Sequence, residues 1–341
     1  MDKQRIKYFD VLRGGAIILV IAIHSFKGFD ITENNTLTYH LAIIWRQIIG
    51  CAVPLFLAIS GYFLSKKEVS TKSHYFSFLK KQVPRVYIPM LIWSIPYLIL
   101  SIYTGKDIGN SVFLFLVGGF SVYYFIALIV QYYFLLPFLQ KLGDKTAGLI
   151  FSALLSAACM IILFYLNSVQ NVSLPLIIYA GPFPVWIVFF VLGIYLGRRE
   201  QLSISSKLLF IFTIAGLLIS IAETYLHIHI SGSFQGLGIK LGAFIYSFAV
   251  ILLLFRLQTD KNSNTPIWRF LVYLGRISFG VYLTHIFFLS YLVTPIVNRL
   301  ETNNYFVDQL LLISLTVMCC VGFITVIRKI NKPLAVKYLG F

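Results

Sequence analysis

Charge is scarce in this sequence. Only 12% of its 341 residues are Asp, Glu, Lys or Arg, about half the share of a soluble domain. With 59% hydrophobic residues and a mean hydropathy of +0.85, that scarcity excludes a soluble globular protein and implies a polytopic membrane protein. Acidic residues are scarcer still: 12, against 28 basic ones, for a net charge of +16. Such an excess can mark a nucleic-acid binder. Here the basic residues sit in short gaps between apolar runs, not on a soluble face, which excludes that partner and points to membrane topology. There are four cysteines: Cys51, Cys159, Cys319 and Cys320. All lie in apolar segments without metal-ligand spacing or loop pairing, so they read as small core residues and no metal site is expected. No small-residue cleavage site follows the first apolar run, which reads as a retained helix. Neither an internal repeat nor a soluble domain is visible, so residues 1–341 are expected to form one all-α transmembrane domain.

A bilayer core needs about 20 mostly apolar residues per helix. Candidate spans run over 10–27, 45–64, 86–104, 122–140, 147–166, 177–197, 207–226, 237–256, 272–294 and 308–328. The predicted architecture is therefore about ten transmembrane helices. Turn and polar residues mark the gaps, among them Lys66-Lys67-Glu68, Gly143-Asp144-Lys145, Arg198-Arg199-Glu200 and Asp260 to Asn264. With the N-terminus inside, only Lys27, Arg46, Lys106, Lys240 and Arg299 of the basic residues fall on the outer side, and Arg13 lies within the first helix. All the others, from Lys3 and Arg5 through Lys261 to Lys337, fall on the inner side, which predicts both termini in the cytoplasm. Breaks at Pro54, Pro96, Gly118-Gly119, Pro182 and Pro184 are expected to bend helices around a cavity.

The first span carries the strongest signal. It holds Asp10, Arg13 and His24 within YFDVLRGGAIILVIAIHSF. Ionisable groups inside a membrane segment are costly and face a polar interior or a pathway. Arg13 and His24 are about three helical turns apart, so they share one face, separated by roughly 16 Å along the axis. Asp10 and Arg13, three apart, are expected to pair. Before the third span, residues 74–83 read as a short interfacial helix that includes Lys80 and Lys81, which with Arg85 form a basic cluster where the third span enters the membrane. Such a cluster suits anionic membrane lipids or a phosphorylated cytosolic ligand. His40 and His74 read as loop and interface residues, and His227 and His229 as residues of the outer interface.

Three segments in order resemble the acyltransferase 3 family of bacterial integral membrane acyltransferases. FDVLRGGAIILVIAIH matches that family's Arg, ten residues, His pattern. AISGYFLS is followed by a basic segment ending FLKKQVPRVYIPM. LGRISFGVYLTH, near the C-terminus, contains Ser278, Tyr282 and His285. The family often has two arginines three apart before the third span; here Gln82 stands three before Arg85.

The resemblance implies an acyl-CoA-dependent O-acyltransferase of the bacterial inner membrane. It would move an acyl group, usually acetyl, from cytosolic acyl-CoA to a hydroxyl of an extracytoplasmic polysaccharide or lipid-linked sugar. On that reading His24 is the general base, Arg13 binds the donor or lines its tunnel, and Asp10 holds Arg13. Arg85, Lys81 and Lys80 would hold the CoA phosphates. His285, Glu223, Ser278 and Tyr282 are candidates for acceptor contacts or supporting roles. The competing class is a glycan exporter or flippase that uses the same inward-facing ionisable residues without chemistry.

Overall fold

The computed structural model describes residues 7–26, 36–170, 172, 174–199, 203–231, 238–258 and 265–341. Lys3, Arg5, Lys27, Glu200 and the 260–264 gap, used above for topology, lie outside the described residues. Among the described residues every regular element is helical. In chain order these are α1 (Lys7–Ser25), α2 (Leu37–Ile49), α3 (Ala52–Leu64), α4 (Lys72–Tyr103), α5 (Ile108–Val117), α6 (Tyr124–Asp144), α7 (Thr146–Phe164) and α8 (Leu176–Tyr179). The second half holds α9 (Phe183–Gly197), α10 (Ser206–Ser231), α11 (Leu241–Arg256), α12 (Pro266–Arg276), α13 (Ser278–Phe288), α14 (Thr294–Arg299), α15 (Tyr305–Ile330) and α16 (Lys332–Tyr338). A π-helical turn, Leu289–Val293, joins α13 to α14.

Among the described residues, the ten predicted spans lie mainly on helix. Eight helical stretches are long and apolar enough to cross a membrane. The other two, α9 with 15 residues and α11 with 16, are shorter than a hydrocarbon core requires. For α9 the reason is position: nearly its whole length from Val185 to Leu196 is buried. It is apolar on every side, as a helix enclosed by other helices should be, and α3, α6 and α7 pack around it.

Three local readings are corrected. The second span begins at Leu37, so His40 is helical, and its Nδ1 lies 2.6 Å from the Tyr225 hydroxyl. The break in that span falls at Gly50-Cys51 and not at Pro54. Pro54 sits in the first turn of α3, where its missing N–H costs nothing. Residues 74–83 are no separate interfacial helix but the start of α4, which runs unbroken for 32 residues through Pro84, Pro89 and Pro96. Prolines are tolerated in that way inside membrane helices because neighbouring groups satisfy the freed carbonyls.

The contacts sort the helix ends into two sets. Near Asp10 lie the C-terminal ends of α3, α6, α9 and α11. Tyr8 donates to Leu254 O (2.8 Å), Gln140 Nε2 donates to Leu64 O and Lys67 O (both 2.8 Å), and Arg198 pairs with Asp144. Near His24 lie α2, the C-terminal end of α10 and the N-terminal ends of α11 and α15. Gln309 Nε2 donates to Ser25 O at 2.5 Å, and Tyr246 donates to Ile48 O at 3.1 Å. Chain segments thus alternate between an Asp10 end and a His24 end of one bundle.

Candidate active site

Asp10 organises one end of the site. It is 1% exposed, with Oδ1 3.7 Å from Arg13 Nη1 and Oδ2 3.5 Å from Arg276 Nε. The pair with Arg13 follows from their spacing on one helix. Arg276 arrives through the crossing of α1 and α12, where Gly14 lies against Leu271 O and Gly275 against Asp10 O. Any side chain at either glycine would collide with the opposite backbone. Arg13 also lies over the Phe63 ring, 4.8 Å from its centroid.

Arg13, Arg85 and Arg276 line one cavity of about 320 Å³. Gln82, Ser60, Tyr133, Ser278 and Tyr282 also line it. Three planar cations around one space are suited to phosphate oxygens, which accept paired charge-assisted hydrogen bonds. Lys80 and Lys81 are exposed on α4 and do not line this cavity. Gln82, one turn before Arg85 on the same helix face, does.

The cavity wall leads to the histidines. Ser278 Oγ donates to Gly275 O at 2.9 Å across the joint between α12 and α13. Tyr282 donates to Val122 O, and Tyr123 returns a bond to Leu283 O at 2.9 Å. This reciprocal pair ties α13 to the turn before α6, where Ser121 adopts a left-handed φ of 52° of the strained kind that gathers at functional sites. His285, one turn beyond Tyr282, is fully buried, and its Nδ1 lies 2.7 Å from Tyr282 O. A carbonyl only accepts, so Nδ1 carries the proton and Nε2 is a bare acceptor. Nε2 has no hydrogen-bond partner among the described residues. A bare Nε2 can take a proton or accept an N–H, but it does not donate to an oxyanion.

The His24 ring lies 5.3 Å from the His285 ring, centroid to centroid. Unlike His285, His24 is exposed although the bundle surrounds it. No described residue hydrogen-bonds its nitrogens. Of the residues anticipated from sequence, the structure thus gathers Asp10, Arg13, Arg85, Ser278 and Tyr282 around one cavity. It sets His285 and His24 next to each other beyond it.

Glu223 stands apart. It accepts from the backbone N–H groups of Leu241 (3.2 Å) and Gly242 (2.5 Å) and lies 3.7 Å from Lys240 Nζ. It thereby satisfies the N-terminal turn of α11, where donors are unpaired and a negative charge is favoured. His227 is buried with its ring 4.5 Å from Phe164, while His229 is exposed. No group of three metal-ligating side chains occurs among the described residues.

Arg276, Gln82, Ser60 and Tyr133 line the cavity but were not among the site residues expected from the sequence. Arg276 stands two places before Ser278 in the C-terminal motif, and that adjacency was its only signal. Gln82 was seen as a departure from a pattern and not as a lining residue.

The fold and the site define a multi-pass helical membrane protein with a basic cavity at one end and a histidine pair toward the other. The chain belongs to the acyltransferase 3 family: that family's acyltransferase domain matches residues 6–327. It is accordingly a membrane acyltransferase. Comparison with curated proteins finds no match, and comparison with solved structures finds none.

Proposed function

We propose that the protein transfers an acyl group, acetyl in the first instance, from acyl-CoA to a hydroxyl of a surface polysaccharide or lipid-linked sugar. The observation that carries this reading is the cavity lined by Arg13, Arg85 and Arg276, whose wall at Tyr282 adjoins the His285–His24 pair. On this reading the Asp10 end faces the bacterial cytoplasm with both termini, which the distribution of basic residues supports. The donor's phosphates are held by the three arginines, and its acylated arm extends past Tyr282.

The acceptor approaches from the opposite side. His24, in its neutral form, takes the proton of the acceptor hydroxyl. The hydroxyl oxygen forms a bond to the thioester carbonyl carbon, and the carbon–sulfur bond breaks. The departing thiolate recovers the proton from His24, leaving an ester and free CoA thiol. His285 packs its ring beside that of His24, 5.3 Å away, and so limits where the base can sit. The chain acts as a single transmembrane domain.

The test uses purified protein in lipid nanodiscs with labelled acetyl-CoA and a panel of cell-surface sugars. Wild type is expected to label an acceptor, and His24→Ala to lower the rate by at least about a hundredfold, the usual contribution of a general base, at unchanged protein level. Full activity in His24→Ala removes His24 from the reaction. Sugar transport that is indifferent to acyl-CoA would replace the enzyme with an exporter.

A further inference from the structure

The histidine end of the bundle contains a cation that the transfer chemistry does not use. Arg46 lies on α2, four residues before the break at Gly50. Its neighbours on the helix are committed elsewhere: Gln47 is buried and accepts from the Ser220 hydroxyl at 2.9 Å, and Ile43 and Ile49 are fully buried. The guanidinium itself lies against the backbone at Gly238, where a Cβ would stand 3.3 Å from Nη2. It is within electrostatic range of His24 and of the hydroxyls of Tyr124, Tyr179 and Tyr305. No carboxylate is among the groups acting on it.

Lys240, the buried cation at this end, is a contrast to the half-buried Arg46. Lys240 is 2% exposed, donates to Ser220 at 2.5 and 2.8 Å and is neutralised by Glu223 at 3.7 Å. Arg46 has neither a hydrogen bond nor an ion pair with any described residue. A charge inside a membrane protein is expensive without a counter-ion, and its presence points to a ligand or a pathway. A guanidinium is the side chain best matched to a carboxylate or phosphate, and the tyrosine hydroxyls within electrostatic range are polar partners for a sugar.

We propose that Arg46 binds an oxyanion on the acceptor, so that the protein selects acidic acceptors: a sugar bearing a carboxylate, or one carried on a phosphate. This rests on the acyl-transfer reading for the word acceptor, but the site is testable by binding alone. In nanodiscs, the fluorescence of Trp45, next in sequence, reports titration with three probes: a glucoside, the matching glucuronide and a short polyprenyl pyrophosphate sugar.

Wild type is expected to bind at least one acidic probe ten times more tightly than the neutral glucoside. Arg46→Ala removes that preference, Arg46→Lys keeps part of it, and both variants bind acyl-CoA like wild type. Preference for the glucuronide identifies a sugar carboxylate, and preference for the pyrophosphate probe identifies a carrier phosphate. Equal binding of all three probes by wild type, or an acid preference that survives in Arg46→Ala, overturns the proposal. Anion binding without any acyl transfer would instead sink the enzymatic reading and leave this site standing.

Discussion

Asp10 is the residue on which the donor end turns. One buried carboxylate lies within ion-pair distance of two arginines on different helices, so its charge fixes where both guanidiniums sit. Replacing it with Asn keeps the shape and removes the charge. Asp10→Asn should therefore raise the KM for acyl-CoA about tenfold, the worth of one weakened charge-assisted contact, while kcat falls much less. Arg276→Ala should do the same, because Arg276 lines the same cavity and is far from the hydroxyl undergoing transfer. A kinetic comparison of the two variants with wild type checks this. An effect on kcat alone would place Asp10 in the chemistry and not in donor binding. The site also illustrates how a neighbour in sequence misleads. Lys81 carries the charge expected of a donor clamp and, four residues before Arg85, lies on the same side of α4, yet it is exposed and the uncharged, half-buried Gln82 lines the cavity.

At the scale of elements, the donor end depends on α1 and α12 crossing at backbone contact. Gly14 and Gly275 sit against each other's neighbouring carbonyls, and the residues beside them, Arg13 and Arg276, thereby meet at Asp10. A methyl group cannot be absorbed there by a side-chain rotation, since the obstacle is main chain. Gly275→Ala should cost about 1–3 kcal/mol, the range for overpacked sites, seen as a lowered midpoint in thermal unfolding of the detergent-solubilised protein. It should also weaken acyl-CoA binding by separating the two arginines. Unchanged stability and donor binding would show that the helices slide apart freely. The enclosed helix α9 is a contrasting case. Its Phe190 stacks on Tyr132 with centroids 4.5 Å apart, so packing rather than contact with lipid decides where it lies.

At the scale of the molecule, the alternation of helix ends makes a topological prediction. In intact cells lacking the four native cysteines, Lys106→Cys should react with a membrane-impermeant maleimide, and Lys67→Cys should react only after the membrane is opened. The opposite pattern would invert the bundle and place the basic cavity outside, beyond the reach of a cytosolic donor. The ten apolar segments, their order and the axial separation of Arg13 from His24 were legible in the sequence, because helix length and periodicity are local properties set by backbone geometry. The Asp10–Arg13 pair was legible for the same reason. Tertiary structure alone decided that Arg276 shares Asp10, that Gln82 and not Lys81 lines the cavity, that Glu223 serves the start of α11, and that His285 stands beside His24 with Nε2 bare. Each of those facts depends on which helices touch and at what rotation about their axes, and in a bundle held by close packing those quantities belong to pairs of distant segments, so no single stretch of chain contains them.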